Sequence, residues 1–208
     1  VYKRQCIYRR RVFMATQKIS LGEKLAFGAG DCGCNFVWNV LALFMTIYYT
    51  DSVMISAAAV GGIMLASRIF DGISDLVMGA ILDKTKTRWG KARPWILWSA
   101  PFMAIALILT FSVPDISETG KVIYAFCTYF FLTVIVYTAS NLPYNALLSF
   151  ITDDQKERTS LSSIRFFMVN FLVIILSFVT PPAAKALGWF GITTIYGCLL
   201  YTSPSPRD

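Results

Sequence analysis

Six apolar stretches dominate this sequence, at about residues 24–50, 55–82, 94–113, 121–150, 159–180 and 187–202. A run of about 20 such residues is long enough to cross the hydrocarbon core of a bilayer as a helix. Within lipid only a helix or a closed barrel satisfies its own backbone hydrogen bonds. An all-α, polytopic membrane protein is therefore expected. Composition agrees: of 208 residues 56% are hydrophobic and 15% charged, whereas a soluble domain carries about 25% charged residues to hold its surface in water.

The punctuation between stretches fits this reading. Thr50-Asp51-Ser52, a polar run over residues 83–93, Val113-Pro114-Asp115, residues 152–158 and Thr180-Pro181-Pro182 mark the expected loops. Lysine and arginine gather in alternate loops: Lys18 before the first stretch, Lys84, Lys86, Arg88, Lys91 and Arg93 after the second, and Lys156 and Arg158 after the fourth. The other side has only Lys121 and Lys185. The positive-inside rule then places the amino terminus in the cytoplasm.

Other features exclude function classes. The net charge of +7 rests largely on Lys3, Arg4, Arg9, Arg10 and Arg11 in a short tail, so it points to no nucleic-acid partner. With no histidine in the chain, His-dependent triads and HExxH zinc sites are absent, and no nucleophile–base pair stands out, so no enzyme is expected. The cysteines, Cys6, Cys32, Cys34, Cys127 and Cys198, have no paired CxxC spacing and read as packing residues. Residues 1–13, upstream of Met14, and 201–208 read as non-native tails flanking a transmembrane bundle over 14–200, with genuine disordered tails as the alternative. The chain is expected to stop partway through a longer protein.

Charge inside the apolar runs carries the functional signal. Arg, Lys or Asp at a membrane helix centre costs roughly 2.5–3.5 kcal/mol even on the lenient insertion scale, so such residues are functional candidates. The second stretch holds Arg68, Asp71 and Asp75, whose spacings of three and four put them on one helix face. With both acids ionised the trio sums to minus one, which one monovalent cation or proton neutralises. Hard oxygen ligands favour sodium or a proton over a transition metal. The alternative is a static clamp in which Arg68 pairs with both acids.

Three further stretches place polar groups at a matching depth: Asn35, Asn141 and Arg165 lie within about one to two turns of the level of Asp71. Asp31, Asn35 and Asn39 form a stripe on the first helix, and Tyr137, Thr138, Asn141 and Asn145 form one on the fourth. Amides, hydroxyls and an aromatic ring suit a carbohydrate, through paired hydrogen bonds to hydroxyls and contact with the sugar's C–H face. Interhelical hydrogen bonding is the alternative for each residue singly. Pro143 frees a backbone carbonyl within the fourth stretch. Gly28, Gly30, Gly33, Gly61, Gly62 and Gly72 read as sites of close helix approach.

The string Ser67-Arg68-Ile69-Phe70-Asp71-Gly72-Ile73-Ser74-Asp75, then Gly79, Asp83, Thr87-Arg88-Trp89-Gly90-Lys91 and Arg93-Pro94-Trp95, resembles the glycoside-pentoside-hexuronide:cation symporters, relatives of the melibiose carrier in the major facilitator superfamily. Asn141-Leu142-Pro143-Tyr144 and Glu157-Arg158-Thr159-Ser160-Leu161 to Arg165 continue the match, which covers about residues 18–200. The resemblance implies a twelve-helix fold of two six-helix bundles in the plasma (inner) membrane. This chain would be the amino-terminal bundle, truncated in its sixth helix and lacking its carboxy-terminal partner bundle. It further implies cation ligation by Asp71 and Asp75 with Ser74 and Thr138 nearby, the ion being sodium, proton or lithium, and no other cofactor. Sugar contacts are implied for Asn35, Tyr137, Asn141 and Arg165, with Asn145 in the same stripe. Asn35 and Asn141 stand where the melibiose pattern is acidic, and Asn145 where it is aromatic, which favours a xyloside or glucuronide-like substrate over a galactoside. The loop with Gly79, Asp83, Arg88, Gly90 and Lys91 resembles the superfamily signature that sets the inward–outward equilibrium; a plain positive loop is the alternative. A sodium-dependent lipid carrier of the same superfamily, with a greasier cavity, and a non-transporting membrane fragment are the competing readings.

Overall fold

The computed structural model describes residues 19–88, 90–152 and 154–202. The tail at 1–13, Met14, Lys18, Trp89 of the loop signature and residues 203–208 lie outside the described residues.

Helix α1 (Leu21–Ile47) starts at a reciprocal cap: Glu23 N–H donates to Ser20 Oγ at 3.2 Å and Ser20 N–H donates to Glu23 Oε2 at 2.8 Å. It runs on as a π-helical turn, Tyr48–Ser52, so Thr50-Asp51-Ser52 is the end of the first helix and not the connection after it. The chain turns at Met54, whose φ of 63° is unusual for a side-chain-bearing residue, and Ser56 caps α2 (Ala57–Lys84). Helix α3 (Arg93–Thr110) begins with Pro94 in its first turn, where a missing N–H costs nothing. Helix α4 (Glu118–Phe130) passes through a second π-helical segment, Phe131–Tyr137, into α5 (Thr138–Ile151), making one long rod. Helix α6 spans Gln155–Thr202.

A second boundary departs from expectation. Pro181 and Pro182 do not end the fifth helix; the helical path continues through them and breaks at Gly188 (φ 72°, ψ 164°), a backbone geometry that only glycine adopts without strain. There the chain doubles back. The Thr180 and Tyr196 hydroxyls meet at 2.7 Å across sixteen residues, which a continuous helix would hold about 24 Å apart. Among the described residues the bundle therefore contains six packed helical segments: α1, α2, α3, the α4–α5 rod and the two arms of α6.

Helix α1 has both a parallel and an antiparallel neighbour. Lys24–Glu157 at 2.7 Å and Asp31–Arg165 at 2.7 Å run α1 parallel to the first arm of α6. Phe36 against Tyr196 and Phe44 against Trp189 run α1 antiparallel to the second arm. One end of the bundle collects the lysine- and arginine-rich loops. The other is closed by an aromatic cluster of Tyr48, Phe111 and Trp189, with ring centroids 5.1–5.8 Å apart. Tyr49 is fully buried there and donates to Thr110 O at 3.2 Å.

Among the described residues four elements are long and apolar enough to cross a membrane: Leu21–Ser52, Arg93–Thr110, Glu118–Leu148 and Gln155–Leu199. Helix α2 has the length but carries the charges. The glycines divide into two groups. A Cβ on Gly28 would come 2.5 Å from Met168 Sδ, and one on Gly30 would come 2.8 Å from the Tyr144 hydroxyl, so both permit close helix approach. Gly61, Gly62 and Gly72 meet nothing within 4 Å, so within this chain they are not packing glycines. They lie on α2, whose Leu65, Ile69, Ile73 and Leu76 are also exposed.

Candidate functional site

Arg68, Asp71 and Asp75 project together from α2 into one cavity of about 370 Å³. Tyr137, Thr138, Asn141, Leu142 and Asn145 form the facing wall, and Trp38 of α1 contributes an aromatic side. That wall begins where the π-helical segment Phe131–Tyr137 gives way to α5. A π turn inserts a residue and rotates the helix beyond it, and such turns recur at functional sites.

Arg68 is held at two points. Its Nη1 lies 3.4 Å from Asp71 Oδ2, and its guanidinium carbon lies 4.3 Å from the centre of the Trp38 ring. Trp38 in turn stacks on Tyr137, with centroids 5.1 Å apart. Asp75 lines the same cavity, and among the described residues no lysine or arginine lies within ion-pair distance of it. The clamp alternative, with Arg68 pairing both acids between helices, is therefore not the arrangement: the pair joins two residues of α2 and leaves Asp75 out. Ser74 Oγ lies 3.0 Å from Asp71 O and 3.3 Å from Thr138 Oγ1, tying α2 to α5 beside the carboxylates. Asp71, Asp75 and Thr138 line the cavity, and Ser74, bonded to Thr138, stands beside them.

Two of the sequence-predicted substrate contacts stand behind the wall. Asn35 accepts from the Tyr137 hydroxyl at 3.4 Å and donates to Asp31 O at 3.1 Å, so it steadies the ring that lines the cavity. Asn39 extends the stripe only by donating to Asn35 O at 2.8 Å. Arg165 donates from Nη2 to Asn145 Oδ1 at 2.6 Å, and Asn145 Nδ2 donates to Asn141 Oδ1 at 3.1 Å. The Arg165 Nε lies 2.7 Å from Asp31 Oδ2, and Asp31 is 1% exposed. A guanidinium has donors only, which fixes the orientation of both amides. Asp31 Oδ1 is buried with no hydrogen-bond partner among the described residues.

The loop residues lie apart from the cavity. Asp83 follows Asp75 by eight residues along α2, about 12 Å nearer the basic end. Gly79 meets nothing within 4 Å. Gly90 takes a φ of 92° in a turn closed by its N–H to Thr87 O, and Asp83, Arg88 and Lys91 are exposed there. Sequence reasoning passed over Trp38, because a tryptophan in an apolar helix reads as packing. It placed Asp31 in a stripe but could not find its partner, 134 residues away. Cys34 is buried, with Sγ 3.5 Å from Ser140 Oγ, as a packing residue would be.

Apolar helices doubled into a bundle around a charged, amide-walled cavity define a multi-pass membrane protein. Residues 26–203 match the family described as MFS/sugar transport protein, and the chain belongs to that family. It is 38% identical over 187 residues to the putative glycoside/cation symporter YagG of Escherichia coli, covering 86% of this chain and 40% of that protein. It is 32% identical over 196 residues to the glucuronide carrier protein homolog of Escherichia coli, covering 89% and 43%. It is also 33% identical over 150 residues to the sodium-dependent lysophosphatidylcholine symporter 1 of Gallus gallus, covering 72% and 28%. The chain thus spans less than half the length of the curated relatives it matches.

Proposed function

We propose that this chain forms the amino-terminal half of a cation-coupled sugar symporter that works by alternating access. A single cavity in which two carboxylates face an amide- and tyrosine-bearing wall carries the reading. Asp71 and Asp75, with Ser74 and Thr138 beside them, bind one sodium ion or proton, lithium being a possible substitute for sodium. Trp38, Tyr137, Asn141 and Asn145 contact the sugar, while Asn35 and Arg165 hold those contacts in place. The carboxy-terminal bundle of the same protein closes the cavity from the open side of α2, and rocking of the two halves exposes the site to each face of the plasma membrane in turn. The amino terminus is cytoplasmic by the distribution of basic loops. The loop with Gly79, Asp83, Arg88, Gly90 and Lys91 then sets the balance between the two states.

Lipid transport is the second reading, since one relative carries that name. Among the described residues that line the cavity only Leu142 is aliphatic, which suits a hydroxylated ligand better than an acyl chain. Uptake of nitrophenyl glycosides by cells expressing the full reading frame that encodes this chain, with and without a sodium or proton gradient, tests the proposal. Gradient-driven sugar uptake supports it; uptake of lysophospholipid and of no sugar overturns it.

A further inference from the structure

We propose that Asp31 is a positioning residue for sugar recognition, acting through Arg165 and Asn145 to turn the Asn141 amide so that its nitrogen meets the ligand as a donor. The inference rests on the sugar-symporter reading of the cavity and adds a residue and a hydrogen-bond direction which that reading does not assign.

Asp31 and Arg165 meet because α1 and the first arm of α6 lie side by side. Lys24 pairs with Glu157 at 2.7 Å and, about two turns further along both helices, Asp31 pairs with Arg165 at the same distance. Gly28 keeps the two helices close, since a Cβ there would come 2.5 Å from Met168 Sδ. Asp31 is 1% exposed, and a carboxylate so buried is tolerated only beside a cation. The register of the two helices thus fixes the Nε end of Arg165.

The other end of the guanidinium sets a direction. An arginine carries donors and no acceptor. Its Nη2 donates to Asn145 Oδ1 at 2.6 Å, so the Asn145 amide stands only one way round, with its oxygen toward Arg165. The Asn145 nitrogen is thereby turned to Asn141 and donates to Asn141 Oδ1 at 3.1 Å. With its oxygen engaged there, Asn141 presents Nδ2 to the cavity that it lines. Each group orders the next: a carboxylate holds a cation, the cation turns one amide, and that amide turns the other. A sugar oxygen that accepts a hydrogen bond is what such a wall receives. The buried charge on α1 therefore reaches the ligand from behind the wall.

The experiment is a double-mutant cycle on KM for uptake, in cells expressing the full reading frame that encodes this chain. The probes are nitrophenyl β-xyloside, β-glucoside, β-galactoside and β-glucuronide. Asp31→Asn is expected to raise KM about tenfold, the weight of one hydrogen bond to a ligand, with the maximal rate per membrane-inserted protein held within about twofold. In Asn141→Ala, which removes the amide being turned, the same change is expected to move KM by less than about twofold. A residue that served only the packing of α1 would add its full effect there, as independent sites do. Where Asn141→Ala takes up too little for a KM, Asn145→Ala, which breaks the link, is the second background, with the same expectation. Should Asp31→Asn not reach the membrane, Asp31→Asn combined with Arg165→Gln takes its place with the same expected result: it leaves no charge unpaired and replaces a donor-only group by one that also accepts. Full additivity overturns the inference and leaves the symporter reading standing. So does an unchanged KM in a variant that reaches the membrane, or failure of both variants to reach it, which assigns Asp31 to folding alone. Uptake of none of the four glycosides by the unaltered protein removes both.

Discussion

Asp71 and Asp75, one turn apart on α2, have different partners: Asp71 lies 3.4 Å from Arg68, whereas Asp75 faces the cavity with no cationic side chain paired to it among the described residues. A carboxylate on a membrane helix with no fixed cation is the group a mobile cation would neutralise. Asp75→Asn is expected to leave the protein in the membrane and to raise the half-saturating cation concentration for sugar uptake at least tenfold. Asp71→Asn is expected to do the same and also to free Arg68. Membrane yield by immunoblot, measured beside uptake, checks this. Loss of the protein from the membrane in both variants would return the pair to a structural role.

Trp38 bridges two lining residues of the cavity, with Arg68 at 4.3 Å on its ring and Tyr137 stacked at 5.1 Å. Stacking and cation–π contacts contribute about 0.5–1.5 kcal/mol each. Trp38→Ala is expected to raise KM for sugar roughly tenfold, with Trp38→Phe intermediate. A KM unchanged in Trp38→Ala would remove Trp38 from the site.

Two glycines differ in what an added methyl group would meet. Gly30→Ala places a Cβ 2.8 Å from the Tyr144 hydroxyl, which itself donates to Phe27 O. Overpacking of this kind costs about 1–3 kcal/mol. Gly61→Ala meets open space. A thermal melt of the purified chain in detergent is expected to drop for Gly30→Ala and to hold for Gly61→Ala; equal melts would contradict the close approach of α1 and α5.

The doubled-back α6 makes its own prediction. The Thr180–Tyr196 contact is buried, and removing one partner of a buried hydrogen bond costs about 1–3 kcal/mol. Thr180→Val is expected to lower the melt, whereas Ser177→Ala, which removes only an exposed bond to Val173 O, is expected to leave it within error. Equal effects would argue against the reversal at Gly188.

Asp83 and Arg88 lie toward the basic end, away from the cavity. Alanine at either position is expected to change the maximal uptake rate several-fold with KM for sugar held within twofold. A changed KM with an unchanged rate would remove the loop from the conformational equilibrium.

Much of this was legible because local spacing decides it. Arg68, Asp71 and Asp75 fall on one face by helical period alone, and so do Tyr137, Thr138, Asn141 and Asn145. What the sequence could not give depends on three-dimensional register. The π turn at Phe131–Tyr137 leaves no mark in composition, yet it leads into the polar wall and ends on its first residue. Pro181 and Pro182 read as a stop, but the turn fell to Gly188, where the backbone had to take a positive φ. Asn35 and Arg165 lie at the right depth but behind the lining, a distinction that spacing along a helix cannot draw. The pairing of Arg165 with Asp31 is a tertiary contact between residues 134 apart, which no local spacing gives.

If one cavity holds cation and sugar together, linkage requires each ligand to raise affinity for the other by the same factor. Titrating nitrophenyl glycoside binding against sodium and proton concentration, in membranes containing the full reading frame that encodes this chain, measures that factor in both directions. Equal and reciprocal factors of about 5–150-fold are expected, abolished in Asp75→Asn. Sugar affinity that does not change with either cation would contradict it.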